Sequence, residues 1–298
     1  MATHLEEPDR ADRRRDKDLP GIAVEAIHKG KLMNTTLSAL IKRIGQEDLS
    51  ATNVIPWSCP VPSFGDLSTA KVATLGLNPS NREFVDQAGK ELVGQFRRFQ
   101  TLGSLGLTRW SDAQTVHTRL VGESCRTYFS GNPYDTWFRQ LDYLLAETNA
   151  SYYGPVGGAC HLDLIPFATD CKWTDLGRRQ RSSLFHVAGD TLGQLLGESP
   201  IRLLVLNGSA VVTHFQDVSA VRLEKRLMSK WTLSRRSQRD VVGIAYEGII
   251  SHLLGVKLRR DVWVVGFNHN IQSSFGVTRE VRSSIRAWIG GVAKQVFP

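Results

Sequence analysis

Cysteine is scarce in this sequence: only Cys59, Cys125, Cys160 and Cys171 occur among 298 residues. No two form a C-x-x-C pair and none has a histidine at zinc-finger spacing, so neither a structural zinc site nor an iron–sulfur site is expected. Cys160-His161 is an isolated neighbour pair and reads as structural. All four thiols are expected to be reduced, which suits a cytoplasmic protein. Long apolar runs are missing too. None approaches the ~20 residues that a membrane span needs, so no membrane contact is expected. The first twenty residues are charged, lack an apolar stretch and read as a disordered tail rather than a secretory signal. Several enzyme signatures are also absent: G-x-G-x-x-G, the Walker A lysine loop, the G-x-S-x-G elbow and the zinc-deaminase pattern. Finally, acidic residues are outnumbered, with 29 Asp and Glu against 37 Lys and Arg and a net charge of +8. That balance suits a polyanionic partner.

What is present begins with Lys71–Asn81, KVATLGLNPSN. Val72 to Leu77 is an apolar run too short for a helix, stopped at Asn78-Pro79-Ser80. Pro79 cannot continue a ladder and forces Asn78 out of the α region. Ala159–Ile165 (ACHLDLI), Ile201–Leu206 (IRLLVL) and Val262–Phe267 (VWVVGF) read as further short strands, and Val241–Tyr246 as an extra one. Helices are expected over Gly21–Gly45, from Thr136 with Asp135 as its cap, over Ser182–Leu196 as one amphipathic unit, and over Thr278–Val296. Strand and helix alternate, which implies an α/β fold, a three-layer α/β/α sandwich with a short, mainly parallel central sheet. Residues 21–298 are expected to form one domain.

Parallel strands deliver their carboxyl ends to one edge, where ligands bind in open α/β sheets. Four strands bring polar groups there: Asn78-Pro79-Ser80, Asp163, Asn207-Gly208-Ser209 and Asn268-His269-Asn270. Asp163 is unusual, because a carboxylate in an apolar strand is costly unless it is paired or used.

These segments, in this order, resemble the uracil-DNA glycosylase superfamily over roughly Ala70 to Thr278. GLNPS resembles the water-positioning motif of the mismatch-specific and single-strand-selective branches. YFSGNPYDTWF resembles the aromatic segment that stacks on a flipped base. HLDLIP lies where the family has the strand bearing a base-reading Asn. LLVLNGSAV resembles its third strand, and NHNIQSSFGV its leaving-base loop.

The resemblance implies a monofunctional DNA glycosylase without a cofactor. Asn78 would orient water near C1′, with Leu77 and Pro79 lining the pocket. Phe129 or Tyr128 would stack on the base. Asp163, with Asn268 or His269, would hold the departing base. Ser80, Gly208, Ser209, Ser273 and Ser274 would contact phosphates, and Ile271 or Gln272 would fill the gap left by the flipped nucleotide.

Three departures matter. Asp163 stands where the family usually has Asn, and a carboxylate accepts from the N4 amino group of cytosine. This favours a cytosine-type base over uracil, the competing reading being a structural Asp bonded to a nearby loop. Residues 82–126 are an insertion that either decorates the fold or shapes a larger pocket. The loop NHNIQSS lacks the usual Pro. A cytosine-directed glycosylase would threaten its own host unless the target were foreign, such as hydroxymethylated or glucosylated cytosine in phage DNA, an antiviral role. Repair of uracil or a mismatched base, or a non-catalytic nucleic-acid-binding module, are the alternatives. The basic stretch Val221–Asp240, with Arg235 and Arg236, is either a DNA contact or a solvated face.

Overall fold

The computed structural model describes residues 35–47, 49–154, 158–235, 239–272 and 276–298. The expected tail, the first part of the Gly21–Gly45 stretch, Arg236, Ser273 and Ser274 lie outside the described residues.

Among the described residues six strands form one sheet: β1 (Val72–Gly76), β2 (Ala159–Asp163), β3 (Leu203–Asn207), β4 (Glu224–Leu227), β5 (Ile244–Leu253) and β6 (Val256–Phe267). Their spatial order is β2-β1-β3-β6-β5-β4. The first four in that order are parallel, and β5 and β4 add on antiparallel. Strands β1 and β2 are buried along their whole length. Their near-continuous apolar sequence follows from being covered on both faces.

Successive side chains point to opposite faces, and the core divides accordingly. Val72, Leu203, Val205 and Val265 pack toward α2 (Thr115–Arg126), α3 (Asp135–Leu145) and α7 (Arg279–Val296). Ala73, Leu75, Leu162, Leu204 and Val264 pack toward α4 (Arg178–Ala188), α5 (Thr191–Glu198) and α6 (Ser209–Ser219), while α1 (residues 35–46) gives Leu37 and Ile41 to the first group and Leu40 to the second. The result is the expected three-layer α/β/α sandwich. In α7, Val281, Ile285, Ile289, Val292 and Val296 recur at helical spacing and are all buried. Each such side chain contributes about 1.5–3 kcal/mol on leaving water.

Local expectations fare unevenly. The Ser182–Leu196 unit is two helices rather than one. Gly189 turns the chain at φ 55°, and α5 starts at Thr191. Asp135 does not cap α3 but lies in its first turn, bonding Arg139 and accepting from the Tyr153 hydroxyl. The extra strand runs far past Tyr246 into a hairpin with β6. Leu254 and Gly255 close it at φ 51° and 79°, the left-handed pair that suits a tight two-residue turn. The basic stretch contains β4, a fully exposed edge strand.

Strand order places the crevice. From β1 the chain goes to β2 on one side, and β3 lies on the other side. The carboxyl ends of β1 and β3 therefore flank the point where an open α/β sheet leaves room for a ligand.

Candidate functional site at the carboxyl edge of the sheet

The last rung of the parallel strands carries the polar groups. Gly76 pairs with Asp163. Leu75 pairs with Leu206, so Asn207 stands opposite Gly76 on the other side, and it pairs in turn with Phe267. Asp163 and Asn207 share the face that carries Ala159, Leu203 and Val205, the face covered by α3 and α7. Gly76 lies between them, and the space over it is taken by its neighbours. A Cβ there would collide with the Asp163 carboxylate and with the His161 ring.

Asp163 is buried, and its carboxylate lies 3.4 Å from His161 Nε2. His161 Nδ1 is 2.6 Å from the Thr74 hydroxyl, which in turn bonds the Tyr152 hydroxyl. A buried polar chain, Tyr152–Thr74–His161–Asp163, thus runs along the strands and fixes the carboxylate's position. His161 is a buried, hydrogen-bonded residue that links Thr74 to Asp163. The usable signal in the sequence was its i, i+2 spacing to Asp163, which puts both side chains on one face of a strand.

Asn78 sits just past β1. Its amide nitrogen donates to Thr169 Oγ1 at 2.9 Å and to the Pro79 carbonyl at 3.1 Å. The Thr169 hydroxyl gives its own proton to the Cys171 carbonyl, so it can only accept from Asn78. This fixes the orientation of the amide. The Asn78 carbonyl oxygen has no hydrogen bond among the described residues. Asn78 lines an open groove of about 580 Å³ together with Pro79, Ser80, Arg82, Lys172 and Trp173. Ser80 is exposed there, Pro79 is buried and Leu77 is half-buried.

The other sequence candidates fall elsewhere. Tyr128 is buried in an aromatic cluster, stacked on Phe99 at 5.1 Å between centroids, with its hydroxyl donating to Glu83. Phe129 stacks on Tyr152 at 4.7 Å and meets Phe138 and Tyr153 edge-on. Neither ring is left as a stacking platform. They build the wall behind the site instead. The rings that reach His161 are Trp137 and Phe138 of α3 and Phe64, at 5.0, 5.5 and 5.4 Å.

Asn268 and His269 are likewise engaged. The Asn268 side chain accepts from Ile244 N–H and donates to the Val242 carbonyl, both at 2.8 Å, finishing the ladder where β5 begins. His269 Nε2 is 2.6 Å from the Trp231 carbonyl, and burial pushes the imidazole's pKa down, favouring the neutral ring. Neither is poised to hold a departing base. Ile271 is buried, which removes it as a wedge, whereas Gln272 is half-buried. Gly208, at φ 94°, turns the chain into α6, where Ser209 is exposed. Arg235 lies in a loop, its backbone N–H bonded to Asp240.

Glu83 was not visible as a site residue in the sequence. It is buried beside the site, and burial pushes its carboxyl from the ordinary 4.5 up to about 7. The Tyr128 hydroxyl and the Arg98 guanidinium pull against that rise, while the Asp163 carboxylate adds to it. The folded protein holds this proton more tightly than the unfolded chain. Stability is therefore complete below pH 4.5 and is lost as pH rises through 7. Glu83→Gln keeps an acceptor for Tyr128 and removes the charge. It is expected to be neutral at pH 4 and stabilising at pH 8, by up to about 3 kcal/mol. Denaturant melts at the two pH values check this, and an equal effect at both would contradict it.

Comparison with known protein families and with curated proteins finds no match to this chain. Among the described residues no cluster of His, Cys, Asp or Glu suits a metal ion, and no helix is long and apolar enough to cross a membrane.

Proposed function

We propose that the protein is a DNA glycosylase that hydrolyses the N-glycosidic bond of a flipped cytosine-type base. The observation that carries this reading is the pairing of two roles at one strand edge. Asn78, whose orientation-fixed carbonyl oxygen has no hydrogen bond among the described residues, lines an open groove, and Asp163 holds a buried carboxylate over Gly76. The order of its motifs, which resembles that of uracil-DNA glycosylases, supports it.

The chemistry follows from those groups. The bond between C1′ and the base breaks, its electron pair leaves with the base, and the sugar passes through an oxocarbenium-like state, as in glycoside cleavage. A water held by the Asn78 carbonyl adds at C1′ and loses its proton, and the departing base takes one up. An amide is too weak a base to deprotonate water early, so Asn78 contributes orientation. Asp163 accepts from the N4 amino group, while the O4 of uracil would meet it lone pair to lone pair. A phage genome carrying hydroxymethylated or glucosylated cytosine is the target that spares the host's own DNA.

DNA is the implied partner, with Ser80, Ser209 and the basic 221–240 stretch as phosphate contacts. Replacing Lys225 and Arg226 on the exposed β4 strand by Gln should weaken binding to all sequences alike and flatten the salt dependence of affinity. Fluorescence anisotropy across a salt series tests this. An unchanged slope would place the DNA path elsewhere, and no binding by the parent protein would overturn the reading.

A further inference from the structure

The insertion that follows the Asn78 segment carries an exposed aromatic ring. Phe96 is 59% exposed and ends a single 3₁₀ turn, Gly94–Phe96. Lone apolar side chains on a surface are ordinary. Phe96 differs in how firmly its backbone is held. Its carbonyl accepts from the Asn132 side-chain amide at 3.0 Å, and the Asn132 carbonyl accepts from Arg98 Nε at 2.7 Å. Arg98 also donates to the Arg82 carbonyl and lies over the Tyr134 ring, and Phe99 is buried. The chain around Phe96 is therefore fixed while its ring is left in solvent.

This ring stands at the carboxyl edge of the sheet. The first turn of α3 brings Trp137 against His161, near the end of β2. Asn132 and Tyr134 lie in the segment that enters that turn, and Arg82 lines the same groove as Asn78. Beside Phe96 a cavity of about 300 Å³ opens toward α2, with Arg97, Arg98, Leu120 and Glu123 among its walls. Arg97 is half-buried and its Nε is shut off from water without a partner. Its guanidinium makes no ion pair among the described residues. Glu123, the carboxylate of that wall, is taken by Arg126. An uncommitted guanidinium suits a phosphate, which it can grip through two N–H groups at once.

We propose that the insertion holds an unpaired DNA strand at the edge of the site, with Phe96 stacking on a base of that strand and Arg97 binding a phosphate beside it. A rigid aromatic ring next to a free cation is the combination that binds single strands: the cation follows the backbone and the ring takes a base face. The surplus of 8 positive charges favours such a polyanion over a protein partner. A base inside a duplex has both faces covered by its neighbours and offers none to Phe96, so the contact requires a strand that is unpaired there. Every base has a π-face, so the contact is indifferent to sequence. The insertion therefore sets strand preference, and base identity is left to the groups at the strand ends.

The choice of DNA rests on the glycosylase reading, but the contact is tested without turnover. The intact protein is titrated by fluorescence anisotropy with a short labelled oligothymidine, which contains neither cytosine nor uracil, as a single strand and as a blunt duplex with oligodeoxyadenosine. Phe96→Ala and Arg97→Gln variants whose melting temperatures match the parent's are titrated alongside. The parent is expected to bind the single strand more tightly than the duplex. Phe96→Ala should weaken single-strand binding by about fivefold or more, the low end for losing one base–aromatic stack, and leave duplex binding unchanged. Arg97→Gln should lower the slope of log affinity against log salt by about 0.7, the share of one phosphate on a single strand. No binding of the single strand, an unchanged Phe96→Ala affinity, equal losses on both forms, or an unchanged slope for Arg97→Gln overturns the proposal. So does a dimer that Phe96→Ala turns into a monomer in sedimentation velocity, which would assign the ring to a second copy of the chain. Failure of the glycosylase reading shows separately, as intact DNA in an excision assay by a protein whose single-strand binding behaves as stated.

Discussion

Asp163→Asn is expected to exchange the base preference, abolishing excision of cytosine-type bases and opening activity on uracil. The carboxylate only accepts when ionised, whereas the Asn amide turns a donor toward O4 and an acceptor toward N3–H. A site built to satisfy buried polar groups rejects the wrong partner by about 10⁴–10⁵. The full ratio will not transfer, because His161 Nε2, 3.4 Å from Asp163, is then left beside a neutral amide. The direction is nonetheless fixed by the pairing pattern. Excision rates of both proteins on uracil-, cytosine- and modified-cytosine-containing oligonucleotides decide it. A variant that keeps the parent's preference would return Asp163 to the role of a structural residue held by its histidine.

Asn78→Ala is expected to slow excision by about 10²–10³, the usual cost of removing one preorganised polar group from a transition state. DNA affinity should stay within a few-fold, because the proposed contact is to the attacking water. Asn78→Asp keeps an oxygen at the same place and should retain more of the rate than Ala. Single-turnover kinetics with saturating protein separate the chemical step from binding. Loss of affinity in step with loss of rate would mean that Asn78 serves the loop, through its bonds to Thr169 and Pro79, and has no part in the chemistry.

The sequence carried the layers of the fold because short apolar runs ended by Pro, Gly or Asn mark buried parallel strands whatever packs on them. The placement of Asn78 and Asp163 at strand ends was legible for the same reason, as polar residues closing such runs. What joins them was not legible. That Gly76 lies between Asp163 and Asn207 depends on register, which is a property of strand pairing. Asn268 misled because NHN looks like any polar rim. Nothing local says that residues 242–244 will need both halves of its amide to begin β5. Tyr128 and Phe129 misled because an aromatic segment reads alike whether it faces a ligand or the core. Only packing showed that Phe99 and Tyr152 had taken the ring faces. Trp137 lies far along the chain from Gln272 and Arg282, and no spacing rule brings it to them.

The most direct test of the central claim is base release from defined DNA. The intact protein is incubated with oligonucleotides carrying uracil, cytosine, hydroxymethylcytosine or glucosylated hydroxymethylcytosine at one position, and abasic sites are then cleaved with alkali. The expected result is alkali-dependent cleavage at a cytosine-type base, with Asn78→Ala inactive in parallel. Cleavage at uracil alone, or no cleavage on any of the four, would contradict it.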